Sequence, residues 1–275
     1  MKKLLFFDID GTLAYPGKEP APSTVEAIRQ ARGRGHMAFL STGRTRESIP
    51  PAIARIGFDG AVFSAGGEVH LQGQRIASYC MEKAVLEPVV AWLRENRVFY
   101  VLETAEGRFC SEHARQVFLE ADLSAASREM RELTREILFD PAMRPMGEYG
   151  GQGVFKIMYH GPRGLSGRLA PALAGIAKIV PNHDFPGLPI SLGEISDPRV
   201  HKGRAMEEIC RYFAMTTADC IAFGDSMNDG EMLHTAGIGI AMANGDPRLK
   251  ALADRVCDRC ECDGIAKALR ELHVI

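Results

Sequence analysis

Long apolar runs are the first thing this 275-residue sequence lacks. No stretch approaches the roughly 20 residues of a membrane-spanning helix, so no membrane span is expected. At the start, Lys2 and Lys3 precede only Leu4-Leu5-Phe6-Phe7 before Asp8, too little for the apolar part of a secretion signal. Runs of Lys and Arg are also missing. The 33 basic and 35 acidic side chains are spread along the chain and leave a net charge of −2, which argues against a nucleic-acid surface. The seven cysteines have no paired spacing and, without a secretion signal, read as reduced thiols of a cytoplasmic protein. Internal repeats and low-complexity tracts are absent. What remains is an ordinary globular composition, 46% hydrophobic, in a chain long enough for two domains.

The first 80 residues alternate strand and helix signals. Residues 4–8, 37–41 and 60–64 read as buried strands. Ser23 is expected to cap a helix reaching about Arg34, with Glu26 as its capping-box partner, and a second helix is expected near 45–56. This alternation predicts an α/β fold with a parallel, doubly wound sheet. The middle differs. "VLEPVVAWLREN" reads as a helix, "VFYVLETAEGRFC" as a hairpin, 127–138 as a charged helix and "GVFKIMYHG" as a strand. A helix near 166–175 and the strand "AKIVP" follow, which suggests an α+β unit with an antiparallel sheet covered on one face. From about 187 the first rhythm returns, with a helix whose apolar stripe is Ala205, Met206, Ile209, Cys210 and Phe213, then the strand "CIAFGD". The expected organisation is a core made of residues 1–82 and 187–275, interrupted by an insertion over 83–186.

Three runs place polar residues directly after a buried strand: "LLFFDIDGT", "AFLSTGR" and "CIAFGDSMND". In open parallel sheets, ligands bind beyond the carboxyl ends of the strands. If these strands are neighbours, Asp8, Asp10, Thr42, Asp225, Asn228 and Asp229 meet on one rim. Carboxylates gathered in this way repel each other without a cation. Oxygen donors with no His or Cys among them favour a hard ion, and Mg²⁺ is the expected one. A calcium loop starting at Asp8 is excluded, because its sixth position would be Leu13 where glycine is needed.

The ordered set "DIDGT", "STGR", the Lys-Gly at 202–203 that opens a helix, and "GDSMND" resembles the haloacid dehalogenase-like (HAD) phosphohydrolases. "AVFSAGGEV" and "AMANGDPRLKALAD" look like the Cof-type subfamily with a type IIB cap, which the insertion would form. The resemblance implies a phosphatase acting through an aspartyl-phosphate on a small phosphorylated metabolite, such as a sugar phosphate. It makes Asp8 the nucleophile and Asp10 the general acid and then base. Asp10 also argues against a dehalogenase, since a departing halide needs no acid. Gly11 and Thr12 would offer backbone N–H groups to phosphate, and Thr42 its hydroxyl. Lys202 would offset charge on Asp8 and the phosphoryl group. Asp8, the Asp10 carbonyl and Asp225 would hold Mg²⁺, with Asp229 on the metal through water or on Lys202. Asn228 would contact the phosphoryl group or orient Asp229, and Gly43, Arg44 and Asn244 match substrate-proximal positions.

The chain departs from the subfamily at Gly66-Gly67, where Asn-Gly is usual. The resemblance also leaves open a phosphosugar mutase on the same core and a phosphometabolite-binding regulator with weak catalysis. Other features carry less. Cys257, Cys260 and Cys262 give three of four zinc ligands with no second cluster to complete them. His183 and His201 read as loop residues beside the insertion boundary, and Trp92 and Phe118 as core of the inserted unit.

Overall fold

A computed structural model describes residues 2–111, 143–181 and 190–275. The expected helix at 127–138, Phe118 and His183 lie outside the described residues. The chain divides into two compact units, Met1–Tyr79 with Arg199–Ile275, and Cys80–Pro198.

The first unit is built on an eight-stranded sheet. Its strands are β1 (Leu4–Phe7), β2 (Met37–Ser41), β3 (Gly60–Phe63), β4 (Glu68–Leu71), β5 (Gln74–Ser78), β12 (Cys220–Gly224), β13 (Ile238–Met242) and β14 (Arg255–Cys257). They lie in the order β14-β13-β12-β1-β2-β3-β4-β5. The six strands from β14 to β3 are parallel, whereas β4 and β5 add an antiparallel edge hairpin that the sequence patterns did not suggest. β1 is central, and its four apolar residues alternate between two cores. Leu5 and Phe7 join the cluster containing α1 (Pro22–Gly33) and α8 (Gly264–Glu271). Leu4 and Phe6 join the one containing α5 (Lys202–Tyr212), α6 (Gly230–Thr235) and α7 (Pro247–Leu252). Burial on both faces is why the strand reads as an unbroken apolar run.

Two local expectations fail here. Ser23 does not cap α1. The helix starts a residue earlier at Pro22, whose fixed φ suits a first turn, and the Ser23 hydroxyl donates instead to Asp263. Glu26 accepts from Arg29 and Gln30. The helix expected near 45–56 is reduced to a 3-10 turn at Arg46–Ser48 and the short α2 (Pro51–Ala54), because Pro50 and Pro51 prevent a continuous helix.

The second unit is a six-stranded sheet of β6 (Phe99–Thr104), β7 (Gly107–Cys110), β8 (Met143–Pro145), β9 (Val154–Pro162), β10 (Lys178–Pro181) and β11 (Ile190–Ser196), ordered β10-β11-β9-β6-β7-β8. β6 and β7 form the expected hairpin. β11 pairs with both β9 and β10, so residues 190–196 belong to this unit rather than to the returning core. The crossing back therefore comes after Pro198, later than the expected 186. "ISLGEIS" is bounded by Pro186-Gly187, Pro189 and Asp197-Pro198, turn signals that mark it off as a separate strand before the core resumes. α3 (Lys83–Glu95) and α4 (Leu165–Ala172) contribute Val89, Leu93, Leu165 and Leu169 to a core with Tyr100, Leu102, Ile157, Tyr159 and Ile195. The opposite face of the sheet carries Glu103, Lys156 and His160, and at 5%, 3% and 3% exposure these are buried, not the open surface expected. No helix among the described residues is long and apolar enough to cross a membrane.

Candidate active site

β1 runs between β12 and β2, with Phe7 opposite Phe223 on one side and Leu40 on the other. The next residues along each strand therefore emerge together: Asp8 after β1, Thr42 after β2 and Asp225 after β12. The Asp8 N–H still donates to the Phe223 carbonyl at 3.1 Å, which fixes the start of the turn. Thr12, Leu13 and Ala14 then donate to the Ile9 carbonyl and Gly11 to that of Ala14. Gly11 has φ +82°, and a Cβ there would sit 2.2 Å from Asp225 Oδ2, so only glycine lets the two chain segments approach. The turn itself uses the Gly11 and Thr12 N–H groups that were expected to meet phosphate. The Thr12 hydroxyl is buried without a hydrogen-bond partner.

Lys202 is the first residue of α5, whose N-cap is His201; its Nδ1 accepts from the Arg204 N–H at 3.2 Å. The lysine is completely buried, and its Nζ donates to Asp8 Oδ1 at 2.7 Å and to Asp229 Oδ1 at 2.6 Å. Burial opposes the Lys202 charge, but Asp229 and Asp8 outweigh it and hold the ammonium above its ordinary pKa. The second Asp229 oxygen accepts from the N–H groups of Asp225 and Ser226 at 3.0 and 3.1 Å. Asp229 thus braces the "GDSMND" loop and holds the lysine. Asn228 accepts from the Ser226 hydroxyl at 2.8 Å. Asn244, expected near substrate, uses both ends of its amide on backbone, donating to the Gly11 carbonyl at 2.7 Å and accepting from the Cys260 N–H at 3.2 Å.

After β2, Thr42 Oγ1 accepts from the Arg44 N–H at 3.1 Å. The carbonyls of Thr42 and Arg44 accept from Ala65 and Ser64. Those two residues and Gly66 have φ of +49° (Ser64), +56° (Ala65) and +111° (Gly66), a strained run that costs about 1–3 kcal/mol at each non-glycine position. A Cβ at Gly66 would lie 2.6 Å from the His201 backbone, so any side chain here would force the two segments apart. The side chain of Arg44 forms a bidentate pair with Asp10, Nε to Oδ2 and Nη2 to Oδ1, both at 2.7 Å.

Asp8, Asp225 and Asp229 each offer one oxygen, all within 4.8 Å of one another. Asp10's carboxylate is not in this group; it faces Arg44. Burial, then the negative charges of Asp229 and Asp10, push the Asp8 carboxyl up to about 7 against the pull of Lys202. Burial and the charges of Asp8 and Asp229 push Asp225 up to about 9. Asp225 Oδ1 is buried with no hydrogen-bond partner. An oxygen-only group with surplus negative charge and an unpaired buried oxygen fits a hard divalent cation. It is the one such group among the described residues. Away from it, the Cys257 thiol meets Met242 Sδ and the Cys260 thiol meets Glu261.

Sequence reasoning expected Asp8, Asp10, Thr42, Asp225, Asn228 and Asp229 on one rim, the resemblance added Lys202, and two features were missed. The cap at His201 had a signal, a polar residue directly before a helix start. The Arg44–Asp10 pair had none, since its partners are 34 residues apart.

The family model for haloacid dehalogenase-like hydrolases matches residues 5–269. An HMP-PP phosphatase of Serratia proteamaculans is 26% identical over 275 residues, covering 98% of this chain and 95% of that protein. A Bacillus subtilis 5-amino-6-(5-phospho-D-ribitylamino)uracil phosphatase is 24% identical, with 98% and 96% covered. Among solved structures, a sugar phosphatase of HAD subclass IIB superposes with a TM-score of 0.80 at 22% identity over the full length of both chains. Curated relatives of this chain are phosphatases, and the chain itself belongs to the haloacid dehalogenase-like hydrolase family and is a hydrolase.

Proposed function

We propose that this hydrolase is a Mg²⁺-dependent phosphatase that cleaves a small phosphorylated metabolite through an aspartyl-phosphate on Asp8. The observation that carries this reading is Lys202, wholly buried between Asp8 and Asp229 with the unpaired Asp225 alongside. A solvated structural lysine needs no such site. Asp8 attacks phosphorus, the bond to the leaving oxygen breaks, and Asp10 gives that oxygen a proton. Water then attacks the acyl phosphate, and Asp10 takes its proton, which splits one difficult displacement into two. Lys202 keeps Asp8 oriented and offsets the charge it shares with the phosphoryl group. Thr42, directly after β2, would donate its hydroxyl to a phosphate oxygen. Asp8, Asp225 and Asp229 are the side chains that would hold Mg²⁺, and the bound ion would supply positive charge against carboxylate and phosphate repulsion.

The relatives' substrates named above, a pyrophosphorylated HMP, a phosphoribitylamino uracil and a sugar phosphate, support a small polar metabolite as leaving group. The unit Cys80–Pro198 is taken as the type IIB cap that sets substrate choice, and the enzyme as cytoplasmic. The test is a panel of phosphorylated metabolites assayed for inorganic phosphate, with and without EDTA. Phosphate release that EDTA silences and Mg²⁺ restores is expected. Phosphate returned to the sugar without release would identify a mutase, and tight binding without turnover a regulator.

A further inference from the structure

The sequence placed Arg44 on the substrate, but its fork is already filled. Two parallel hydrogen bonds of 2.7 Å tie it to both Asp10 oxygens. Its remaining Nη1 donates to the Ser48 carbonyl at 3.1 Å. Its backbone is fixed as well, the N–H by the Thr42 hydroxyl and the carbonyl by the N–H of Ser64. Arg44 is therefore anchored on the loop that carries Thr42, and it reaches across to the turn that carries Asp10. Asp10 has no comparable partner on its own turn. It is not held by Lys202 and is not among the three clustered carboxylates. With its side chain 36% exposed, Asp10 without Arg44 would be free to change rotamer. Planar, two-point contact is what arginine does and lysine cannot.

We infer that Arg44 is a positioning residue for Asp10: it locks the carboxylate in the orientation from which Asp10 meets the leaving-group oxygen. This rests on the phosphatase reading, with Asp10 as proton donor. Its signature lies in the chemical step rather than in binding. A misplacement of about 1 Å costs on the order of 100-fold in rate. In the first step the loss falls on substrates whose leaving group needs a proton and spares those whose leaving group does not; in the second step, where Asp10 takes a proton from water, it is the same for all.

The experiment compares wild type, Arg44→Ala, Arg44→Lys, Asp10→Ala and the Asp10→Ala/Arg44→Ala double variant. Two substrates of nearly the same shape are used, p-nitrophenyl phosphate with a good leaving group and phenyl phosphate with a poor one. Arg44→Ala is expected to lower kcat/KM, which reports the first step alone, by about 100-fold for phenyl phosphate and by less than about 5-fold for p-nitrophenyl phosphate. In the Asp10→Ala background the same substitution should add less than about 3-fold, because there is no acid left to position. Arg44→Lys keeps charge at the site and controls for folding; it should lose most of the same selectivity. A raised KM at constant kcat, equal losses of kcat/KM on both substrates, or additivity with Asp10→Ala would each overturn the inference. Asp8→Asn separates the two levels: if it still hydrolyses both substrates the phosphatase reading falls, and if it is silent the Arg44 result stands or falls alone.

Discussion

Among the described residues two lysines are buried, and each lies between two carboxylates. Lys202 sits in the first unit with Asp8 and Asp229. Lys156 sits in the second with Glu194 at 2.5 Å and Glu103 at 3.5 Å. In both, burial opposes the ammonium and the paired carboxylates hold its pKa up. The surroundings separate them. Lys156, Glu103 and Glu194 stand on three neighbouring strands in mid-sheet, and Arg108 lies opposite Glu103 across the hairpin. Two cations face two anions there. Lys202 stands at a helix start, its partners follow strand ends, and Asp225 adds a third carboxylate that no side chain neutralises. The balanced cluster needs nothing further. The unbalanced one is set up for a cation and an incoming phosphoryl group. A buried ion pair alone says little about function; the sign of what is left over says more.

The sharpest way to break this comparison is to remove each lysine. Lys202→Met should cut turnover by about 1000-fold or more while the protein still folds. Lys156→Met should also leave carboxylates uncompensated, the buried Glu103 and the half-buried Glu194, and lower unfolding stability by about 3–5 kcal/mol, but without that loss in the chemical step. Replacing all four members of the second cluster, as Glu103→Leu/Arg108→Met/Lys156→Met/Glu194→Leu, should be neutral or stabilising by about 1–4 kcal/mol in urea unfolding, and losing only three of them is the harsher test. A large loss in that quadruple variant would show that the second cluster is not merely structural.

A pH series sharpens the contrast more gently. Asp8 and Asp225, held at about 7 and about 9, keep protons that the unfolded chain has lost. Their contribution to stability is therefore best below the unfolded carboxylate value and declines as pH rises through 7 and then 9. Mg²⁺ should raise Tm more at about pH 8 than at about pH 5, with protons released on binding. Equal shifts at both would contradict the site. In the second unit, burial holds His160 down at about 4, against 6.5 in the unfolded chain. Its contribution is present above 6.5 and lost as pH falls towards 4, the opposite direction. The smallest effect is expected for His201→Ala, which removes the cap in front of Lys202 and should cost about 1 kcal/mol by thermal unfolding.

The strand ends were legible because a buried strand announces itself as an apolar run, and whatever polar residues follow it must meet its neighbours' at the rim. Asp8, Thr42 and Asp225 could be placed together in that way. What could not be read depends on contacts between distant segments. Asn244 became a backbone brace only because Gly11 and Cys260 both reach it. Gly66 is required by the approach of His201, which no local pattern announces. Ser23 had the right chemistry for a cap, but Pro22 opens the helix and the cap position falls on Ala21. β11 was placed in the returning core because its pairing partners, not its residues, decide which unit it joins.

The account rests on Asp8 as the atom that takes the phosphoryl group. The direct measurement is an acid quench during turnover of p-nitrophenyl phosphate, followed by mass spectrometry of the peptide that contains residues 4–15. A phosphoryl group on Asp8 in the wild type is expected, together with its absence and complete loss of phosphate release in a folded Asp8→Asn variant. Phosphate release that persists in Asp8→Asn, or a phosphoryl group found on another residue, would contradict it.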